Sequence, residues 1–428
     1  MRSFGCSANT ADSETLSGCL FRAGFDLACT ETDADVIVYN SCAVKGPTEN
    51  RVINALKHVP SSKKVVVAGC LPMISFDRLL REVKFDAAVG PALGEDIVDI
   101  VRRVFRGEKV VNLDEALMSM PRLDLPRVKT NPVVSIVPVN YGCLGSCAYC
   151  CVFHARGSLR SYEISEVVKR VSHDVALGAR EIWITSQDTG CYGRDIGTNL
   201  AALLKAVVAV EGDFRVRVGM MTPNMIVPFL GELVDAFCSE KIFKFVHLPV
   251  QSGDDEVLQL MRRFYTAQEF QKIVATFRAA FPQITLSTDV ICGFPGESAE
   301  AFEKTLRLIS EVRPDIVNVS KFFARPKTAA WNMPSLGVEK AEISRRSALL
   351  AALAKKIAFE RNQHWLSWSG EVLVDEKGKV AGTCVGRNFA YKPIAIRCSG
   401  NFMGKVLSAK VTKAFPTYLD GVLEKIAR

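Results

Sequence analysis

The sequence predicts an α/β chain of three domains, and three observations carry that prediction. Short apolar runs alternate with helix-like stretches from the N-terminus to about residue 320. One uncharged stretch, Val133 to Phe153, interrupts the alternation with three closely spaced cysteines, Cys143, Cys147 and Cys150. From Leu366 onward the pattern becomes short β-type runs between turn residues. The expected layout is an N-terminal α/β (Rossmann-like) domain over 1–108, a linker over 109–131, a partial (β/α)6 barrel of TIM type over 132–365, and a small antiparallel β barrel over 366–428. A length of 428 residues exceeds one ordinary domain and supports this division.

In the first domain, Val36–Tyr39 and Val65–Ala68 read as buried parallel strands. Asn9–Ala23 reads as a helix with Leu16, Cys19, Leu20 and Ala23 on one face and Gly24 as its stop. Thr48–His58 and Glu95–Arg106 are similar. Pro121, Pro126 and Pro132 mark the linker. The barrel strands are expected near Val133, Glu181–Ser186, Arg215–Val218, Phe245–Leu248, Thr285–Cys292 and Ile316–Ser320, with a helix at 163–176 after the cysteine loop. In such barrels the chemistry sits at the C-terminal ends of the strands, where the cysteine loop falls. Glu339–Asn362 reads as a long helix, and Val372–Val374, Ile394–Arg397 and Gly404–Val411 as strands of the last domain.

Composition narrows the function classes. The chain is 48% hydrophobic with mixed charge, which excludes a disordered protein. The N-terminus has no signal-peptide pattern, and the last residues have no membrane-anchor pattern. Pro138, Asn140, Gly142 and Gly145 rule out a spanning helix in the uncharged stretch. A cytoplasmic location with reduced thiols is expected, so the 14 cysteines point to metal or catalysis rather than to disulfides. The net charge is +8, and residues 366–428 hold ten Lys and Arg against five Asp and Glu. That asymmetry suggests a nucleic-acid surface, against the plainer reading of a solvated basic face.

Cys143, Cys147 and Cys150 form a CxxxCxxC pattern with Tyr149 before the last cysteine. Three thiolates hold three irons of a [4Fe–4S] cluster and leave the fourth iron open to a second molecule. Zinc would want a fourth ligand, and His154 is the only nearby candidate. A ferredoxin would place a fourth cysteine in the run, and Cys151 is too close to Cys150 for that role. The open-iron pattern is that of radical S-adenosylmethionine (SAM) enzymes, in which SAM chelates the unique iron.

Cys6, Cys42 and Cys70 are far apart in sequence but similarly placed: before the first helix, after one strand and at the end of the next. Strand C-terminal ends converge on one edge of a parallel sheet, where three thiols suit a second cluster. The plainer reading makes each a small buried hydrophobe. Cys19, Cys29, Cys151, Cys191, Cys238, Cys292, Cys384 and Cys398 lack such placement and read as packing or incidental thiols.

Over nearly its whole length the chain resembles the radical SAM methylthiotransferase family. It is most similar to the archaeal and eukaryotic branch that acts on threonylcarbamoyladenosine in tRNA. The resemblance rests first on Phe4–Asn9 with Asp12–Glu14, on Asn40–Lys45 and on Gly69–Cys70. It continues in Asn140–Cys150, His154–Gly157, Gln187–Gly190 with Tyr192–Asp195, His247–Gly253 and Thr288–Glu297. Val385–Asn388 with Tyr391–Pro393 resembles the TRAM domain, an RNA-binding β barrel. One departure stands out: the family has Arg-Pro-Gly-Thr late in the barrel, and this chain has Arg325-Pro326-Lys327-Thr328, with Lys327 in the glycine position.

The resemblance implies two [4Fe–4S] clusters. One, on Cys143, Cys147 and Cys150, binds SAM and generates a radical; the other, on Cys6, Cys42 and Cys70, supplies or carries sulfur. It implies methylthio transfer to C2 of the modified adenosine, with no catalytic residue assigned beyond the cluster ligands. Gln187, Asp188, Ile291, Gly293 and Phe294 are the expected SAM contacts. Arg156 and Arg325 are expected to hold a carboxylate of SAM or of the nucleoside's threonyl group. Arg387, Lys392 and Lys405 are the expected phosphate contacts of a tRNA anticodon stem-loop. A reductant protein is the expected electron donor, and no membrane partner is expected. The rival substrates are isopentenyladenosine in tRNA and an aspartate of a ribosomal protein. The rival of a different class is a non-catalytic iron–sulfur RNA-binding protein.

Overall fold

The computed structural model describes residues 1–114, 120–398 and 400–426. Residues 115–119 of the expected linker, residue 399, and residues 427–428 of the expected last domain lie outside the described residues.

The N-terminal unit is a five-stranded parallel sheet in the order β1-β2-β3-β4-β5, formed by Arg2–Ser3, Val36–Ser41, Lys64–Gly69, Ala87–Val89 and Val110–Asn112. Four helices connect the strands: α1 (Ser7–Arg22), α2 (Gly46–Lys57), α3 (Cys70–Glu82) and α4 (Ile97–Phe105). Alternate strand residues serve opposite faces. Val38, Val66 and Ala68 pack with Leu16 and Leu20 of α1 and with Ile97 of α4, while Ile37, Tyr39, Val65 and Val67 pack with α2 and α3.

Two differences from the expected layout appear here. Val110–Asn112, expected to open the linker, is the fifth strand of the sheet. Cys70 does not end a strand: Gly69 does, at φ +94°, and Cys70 is the first residue of α3. Pro72 looks like a helix breaker, but it falls in the first turn, where its missing N–H costs nothing.

Helix α1 buries polar residues, Asn9, Asp12, Ser13 and Glu14, as well as Leu16 and Leu20. It is covered on both sides, by its own sheet and by the next domain. Glu14 Oε1 accepts from the N–H and the hydroxyl of Thr130 at 2.8 and 2.7 Å.

The central unit contains six parallel strands in two sheets. Strands β6 (Val134–Pro138), β9 (Glu181–Thr185) and β10 (Arg215–Val218) form one, in the order β10-β9-β6. Strands β11 (Phe245–His247), β12 (Thr285–Cys292) and β13 (Ile316–Lys321) form the other. A parallel bridge, Val216–Ile242, joins them into a partial barrel. Between β6 and β9, the two-residue strands β7 (Asn140–Tyr141) and β8 (Arg160–Ser161) pair antiparallel and close the base of the cysteine loop. Inside that loop lies the short helix α5 (Val152–Arg156). Gly142 at φ +71° starts the loop, and a Cβ there would lie 1.9 Å from the Ser158 carbonyl oxygen.

A long helix, Lys340–Gln363, leads to the C-terminal unit, a closed barrel in the order β14-β15-β16-β18-β17. Its strands are Ser369–Lys377 (β14), Thr383–Arg387 (β15), Pro393–Arg397 (β16), Val406–Ala414 (β17) and Leu419–Ile426 (β18). All pairings are antiparallel except β16 with β18, which is parallel and closes the barrel. This unit docks on the N-terminal ends of the central strands. Asn131 Nδ2 donates to the Asp375 carbonyl at 2.8 Å, and Lys244 N donates to the Phe389 carbonyl at 2.7 Å. The opposite rim, at the strand C-terminal ends, faces the N-terminal unit. No helix among the described residues is long and apolar enough to cross a membrane.

Candidate functional site: two thiol sets across a domain boundary

The loop after β7 holds Cys143, Cys147 and Cys150, all partly exposed. Gly145 turns the chain between the first two: its N–H donates to Cys143 Sγ at 3.2 Å, and a Cβ there would lie 3.3 Å from Cys143 Sγ and 3.6 Å from Cys147 Sγ. Only a residue without a side chain leaves that cradle open. The charge environment differs from one sulfur to the next. The Cys191 thiol, through a hydrogen bond, holds Cys143 below its ordinary value, whereas burial pushes Cys150 well above. Arg263, which the sequence did not single out, donates from Nη1 to Cys147 Sγ at 3.3 Å and is 7% exposed. The cradle, the facing arginine and the three thiols fit an anionic iron–sulfur cluster.

The strand ends around this loop carry buried polar atoms that have no hydrogen-bond partner among the described residues. They are both amide atoms of Asn140, Oγ of Ser186, Oε1 of Gln187 and Oε1 of Gln251. Gln251 is also held at φ +69°, an uncommon conformation for glutamine. Unpaired buried polar groups are costly unless a ligand completes them. These groups at the strand ends therefore fit a polar, zwitterionic small molecule such as SAM.

Of the expected SAM contacts, Gln187 is one of these unpartnered groups. Asp188 is 2% exposed and spends Oδ1 on the N–H groups of Gly190 and Thr222, at 2.9 and 3.0 Å. A carboxylate oxygen of Asp188 also lies within 4.8 Å of both Cys143 Sγ and Cys191 Sγ. Ile291 is partly buried at the end of β12. Gly293 and Phe294 follow directly after β12, and both are buried. A Cβ on Gly293 would meet the Ile343 side chain at 2.3 Å, and Phe294 is fully buried against Tyr149 and Phe322. Phe294 thus supports the loop from behind, and Gly293 lets the turn after β12 pack closely on the helix Lys340–Gln363.

The second set lies on the facing edge of the N-terminal sheet. Cys6 caps α1, Cys42 follows β2 and Cys70 opens α3. Cys6 is exposed, while Cys42 and Cys70 are 7% and 4% exposed. Burial raises the Cys70 thiol to about 12, and the Arg156 guanidinium works against that rise. Gly5, at φ +119°, permits the approach, because a Cβ there would lie 2.7 Å from Cys42 Cβ and 3.2 Å from its Sγ. Three thiols on one edge, one open to solvent, again fit a cluster with a free iron.

Arg156 belongs to this second set and not to the SAM side, which corrects the expected assignment. Its Nη2 donates to Asn9 Oδ1 at 2.9 Å and to Asp12 Oδ2 at 2.6 Å, and the residue is 3% exposed. Tyr141 completes the group by donating to Asp12 Oδ1 at 2.6 Å. Arg325 is likewise committed: it is 3% exposed, ion-paired with Glu49 and donates to Ser75 Oγ at 3.2 Å. Its charge is neutralised within the protein, so it is not available to an incoming carboxylate. Cys151 is not incidental either, since its Sγ contacts the Ala43 carbonyl at 3.8 Å and helps seat the loop on the N-terminal unit.

The expected RNA contacts divide. Lys405 is exposed. Lys392 is 4% exposed, with Nζ 2.8 Å from Asp315 Oδ1 and 2.9 Å from Asn362 Oδ1. Arg387 pairs with Asp375 at 3.0 Å and Glu376 at 3.2 Å. Both hold the C-terminal unit together and onto the barrel, and neither offers an unpaired charge to a phosphate.

Comparison with known proteins places these units in families. The Radical SAM superfamily matches residues 137–309, the Uncharacterized protein family UPF0004 residues 1–90, and the TRAM domain residues 370–423. A "Probable threonylcarbamoyladenosine tRNA methylthiotransferase" of Pyrococcus horikoshii is 40% identical over 98% of both chains. The "Threonylcarbamoyladenosine tRNA methylthiotransferase" of Homo sapiens is 33% identical over 98% of this chain and 73% of its own. Among solved structures, the radical S-adenosylmethionine methyltransferase TsrM from Kitasatospora setae, with tryptophan substrate and a SAM analog bound, aligns with a TM-score of 0.55 at 15% identity. The alignment covers 75% of this chain and 72% of that one, a likeness of fold. The chain is a radical SAM enzyme and belongs to the threonylcarbamoyladenosine tRNA methylthiotransferase family.

Proposed function

We propose that this protein transfers a methylthio group to C2 of N6-threonylcarbamoyladenosine at position 37 of tRNA, giving the 2-methylthio derivative. The observation that carries the proposal is that two three-thiol sets lie in adjoining domains, joined by one short segment. Cys150 and Arg156 are six residues apart, yet one belongs to the SAM-side loop and the other donates to Asn9 and Asp12 of α1, beside Cys6 of the second set. Methylthiolation of an aromatic carbon needs a strong hydrogen abstractor and a sulfur source close together, which is the pairing this arrangement supports.

Cys143, Cys147 and Cys150 would hold one [4Fe–4S] cluster, and Cys6, Cys42 and Cys70 the other. When bound, the first cluster with SAM supplies the radical chemistry, and the second supplies the sulfur-carrying metal. The residues of the chain do the rest. Arg263 offsets negative charge at Cys147. Asn140, Ser186, Gln187 and Gln251 offer unspent donors and acceptors to SAM's amino and carboxylate groups. Phe294 and Tyr149 pack behind the loop and exclude water from it. His247, Asp289 and Asn318 form a hydrogen-bonded row across β11, β12 and β13, at 3.0 and 2.7 Å, on which the nucleoside can be oriented.

The RNA face is assigned to the β17–β18 hairpin in place of Arg387 and Lys392. Lys405, Lys410, Lys413 and Lys425 are exposed there, and the rings of Phe415 and Tyr418 stack at 4.6 Å with Tyr418 37% exposed. Lysines with an adjacent aromatic platform suit phosphates and an unstacked base. A cytoplasmic setting and a reductant protein as electron donor complete the reading.

The test is nucleoside mass spectrometry. Reconstituted enzyme is incubated anaerobically with SAM, a reductant and tRNA carrying threonylcarbamoyladenosine. A product heavier by one methylthio group in place of hydrogen is expected. Release of 5′-deoxyadenosine without that product would overturn the substrate and leave the radical chemistry standing.

A further inference from the structure

Among the described residues, each thiol set is faced by one buried arginine. Arg263 serves the first set through Cys147. Arg156 faces the second: the Asn9 Oδ1 to which it donates lies 3.8 Å from Cys6 Sγ, and Cys70 and Cys6 join Asp12 and Tyr141 as the titratable groups acting on it. The two arginines differ in one respect. Nη1 of Arg263 reaches a sulfur in hydrogen-bond geometry, whereas the Arg156 guanidinium acts on the Cys70 thiol while its Nη1 is buried with no well-formed hydrogen bond among the described residues.

The remainder of the Arg156 guanidinium is firmly held. Nη2 is shared by Asn9 and Asp12, and the plane lies over the Tyr141 ring, 5.6 Å from its centroid. Asn9 is fixed in turn, since its Nδ2 donates to the carbonyls of Phe4 and Ser41 at 2.9 and 3.1 Å. An N–H aimed by so rigid a frame, yet left unpaired, costs stability until something accepts from it. A cluster on three thiolates carries net negative charge and has sulfurs that accept hydrogen bonds.

We propose that Arg156 is the positioning residue of the second cluster. Its unspent Nη1–H donates to a sulfur at the Cys6, Cys42 and Cys70 site, while its Nη2 side ties that site to the loop of the first cluster. This inference rests on the reading that those three cysteines hold a cluster. Hydrogen bonds to cluster sulfurs raise the reduction potential, so the arginine sets the potential of the sulfur-carrying site as well as its place.

The test uses the full chain with Cys143, Cys147 and Cys150 all changed to alanine, so that any cluster present is the second one. After anaerobic reconstitution with iron and sulfide, iron content, the electron paramagnetic resonance spectrum and the midpoint potential are measured. Arg156→Met is expected to lower the midpoint potential and alter the spectrum, and Arg156→Lys to restore part of both. Because Arg156→Met strands Asp12 in the interior, Asp12→Asn/Arg156→Met is made as well, and it is expected to show the same shift in a chain that melts like its parent. Loss of the cluster from that folded double variant also supports the proposal. An unchanged potential and spectrum in the double variant overturn the proposal and leave the second cluster standing. A parent chain that takes up no iron overturns the cluster reading, and this inference with it.

Discussion

Tyr391 donates its hydroxyl hydrogen to Glu181 Oε1 at 2.9 Å, a bond from the C-terminal unit to the first residue of β9. The ring of Tyr391 packs against Phe243 at 4.8 Å and Phe245 at 5.3 Å, and Arg217 lies over its face at 5.4 Å. Tyr391 thus plugs the N-terminal end of the central barrel. It does so at φ +60°, a strain that the surrounding packing offsets. Replacing it with alanine removes a buried aromatic from a junction, and a loss of about 3–5 kcal/mol is expected. The unfolding transition of the C-terminal unit in a denaturant titration measures it. Tyr391→Phe keeps the packing and is expected to cost about 1 kcal/mol.

The same junction gives a pH dependence. Burial, reinforced by Asp375, raises the Glu181 carboxyl from 4.5 to about 7. A folded-state value above the unfolded one means that the native protein holds the proton more tightly. The stabilising contribution is full below about pH 4.5 and is lost as pH rises through about 7, at about 1.4 kcal/mol per unit of separation. Docking of the C-terminal unit is therefore expected to weaken between about pH 4.5 and about pH 7. Glu181→Gln should flatten that slope, and equal slopes in the two proteins would count against the assignment.

Gly145 is expected to control the cluster proposed on Cys143, Cys147 and Cys150 without ligating it. Gly145→Val would push methyl groups between Cys143 and Cys147, whose sulfurs lie 3.3 and 3.6 Å from the Cβ position. Iron per chain is expected to fall to about half that of the parent, because only one of the two proposed sites is blocked. Retained SAM binding with full iron would show that the loop adapts.

The basic hairpin predicts a salt signature. Lys410→Ala/Lys413→Ala is expected to weaken tRNA binding and to reduce the slope of log affinity against log salt by about 0.7–0.9 for each phosphate no longer neutralised. Lys392→Ala should instead destabilise the fold, since it removes one of the two cations that neutralise buried Asp315, at 2.8 Å, and leaves Arg361 at 3.1 Å as the other. Filter binding across a salt series, alongside thermal melts, separates the two outcomes.

Much of this molecule was legible in the sequence because its signals are local. Cys143, Cys147 and Cys150 sit at a fixed short spacing, and parallel strands buried on both faces read as short apolar runs, so that loop and the six central strands fell near where they were expected; Cys6, Cys42 and Cys70 carry no such local signal and are related only through the strand ends of the sheet. Buried charges were not legible, because their partners are remote in sequence. Arg325 meets Glu49, Lys392 meets Asp315, and Arg156 meets Asp12, each across a domain boundary. An arginine on its own reads as an anion-binding group, and only the fold reveals that its charge is already neutralised. Arg263 was missed for the same reason. Its position in Met261-Arg262-Arg263 resembles a surface basic pair, yet the chain turns it inward to Cys147.

Lys327 tests how the chain accommodates its departure from the family pattern. It occupies φ +66°, the left-handed region that glycine enters freely and that costs other residues about 1 kcal/mol. The lysine is retained with a compensation: its Nζ donates to the Met73 carbonyl at 3.2 Å, in the helix that begins with Cys70. Lys327→Gly relieves the strain and gives up that bond, so a net change within about 1 kcal/mol is expected. Lys327→Ala keeps the strain and loses the bond, and should melt below both. If the alanine variant melts with the parent, the hydrogen bond to Met73 contributes nothing, and the turn tolerates a side chain for a reason other than this bond.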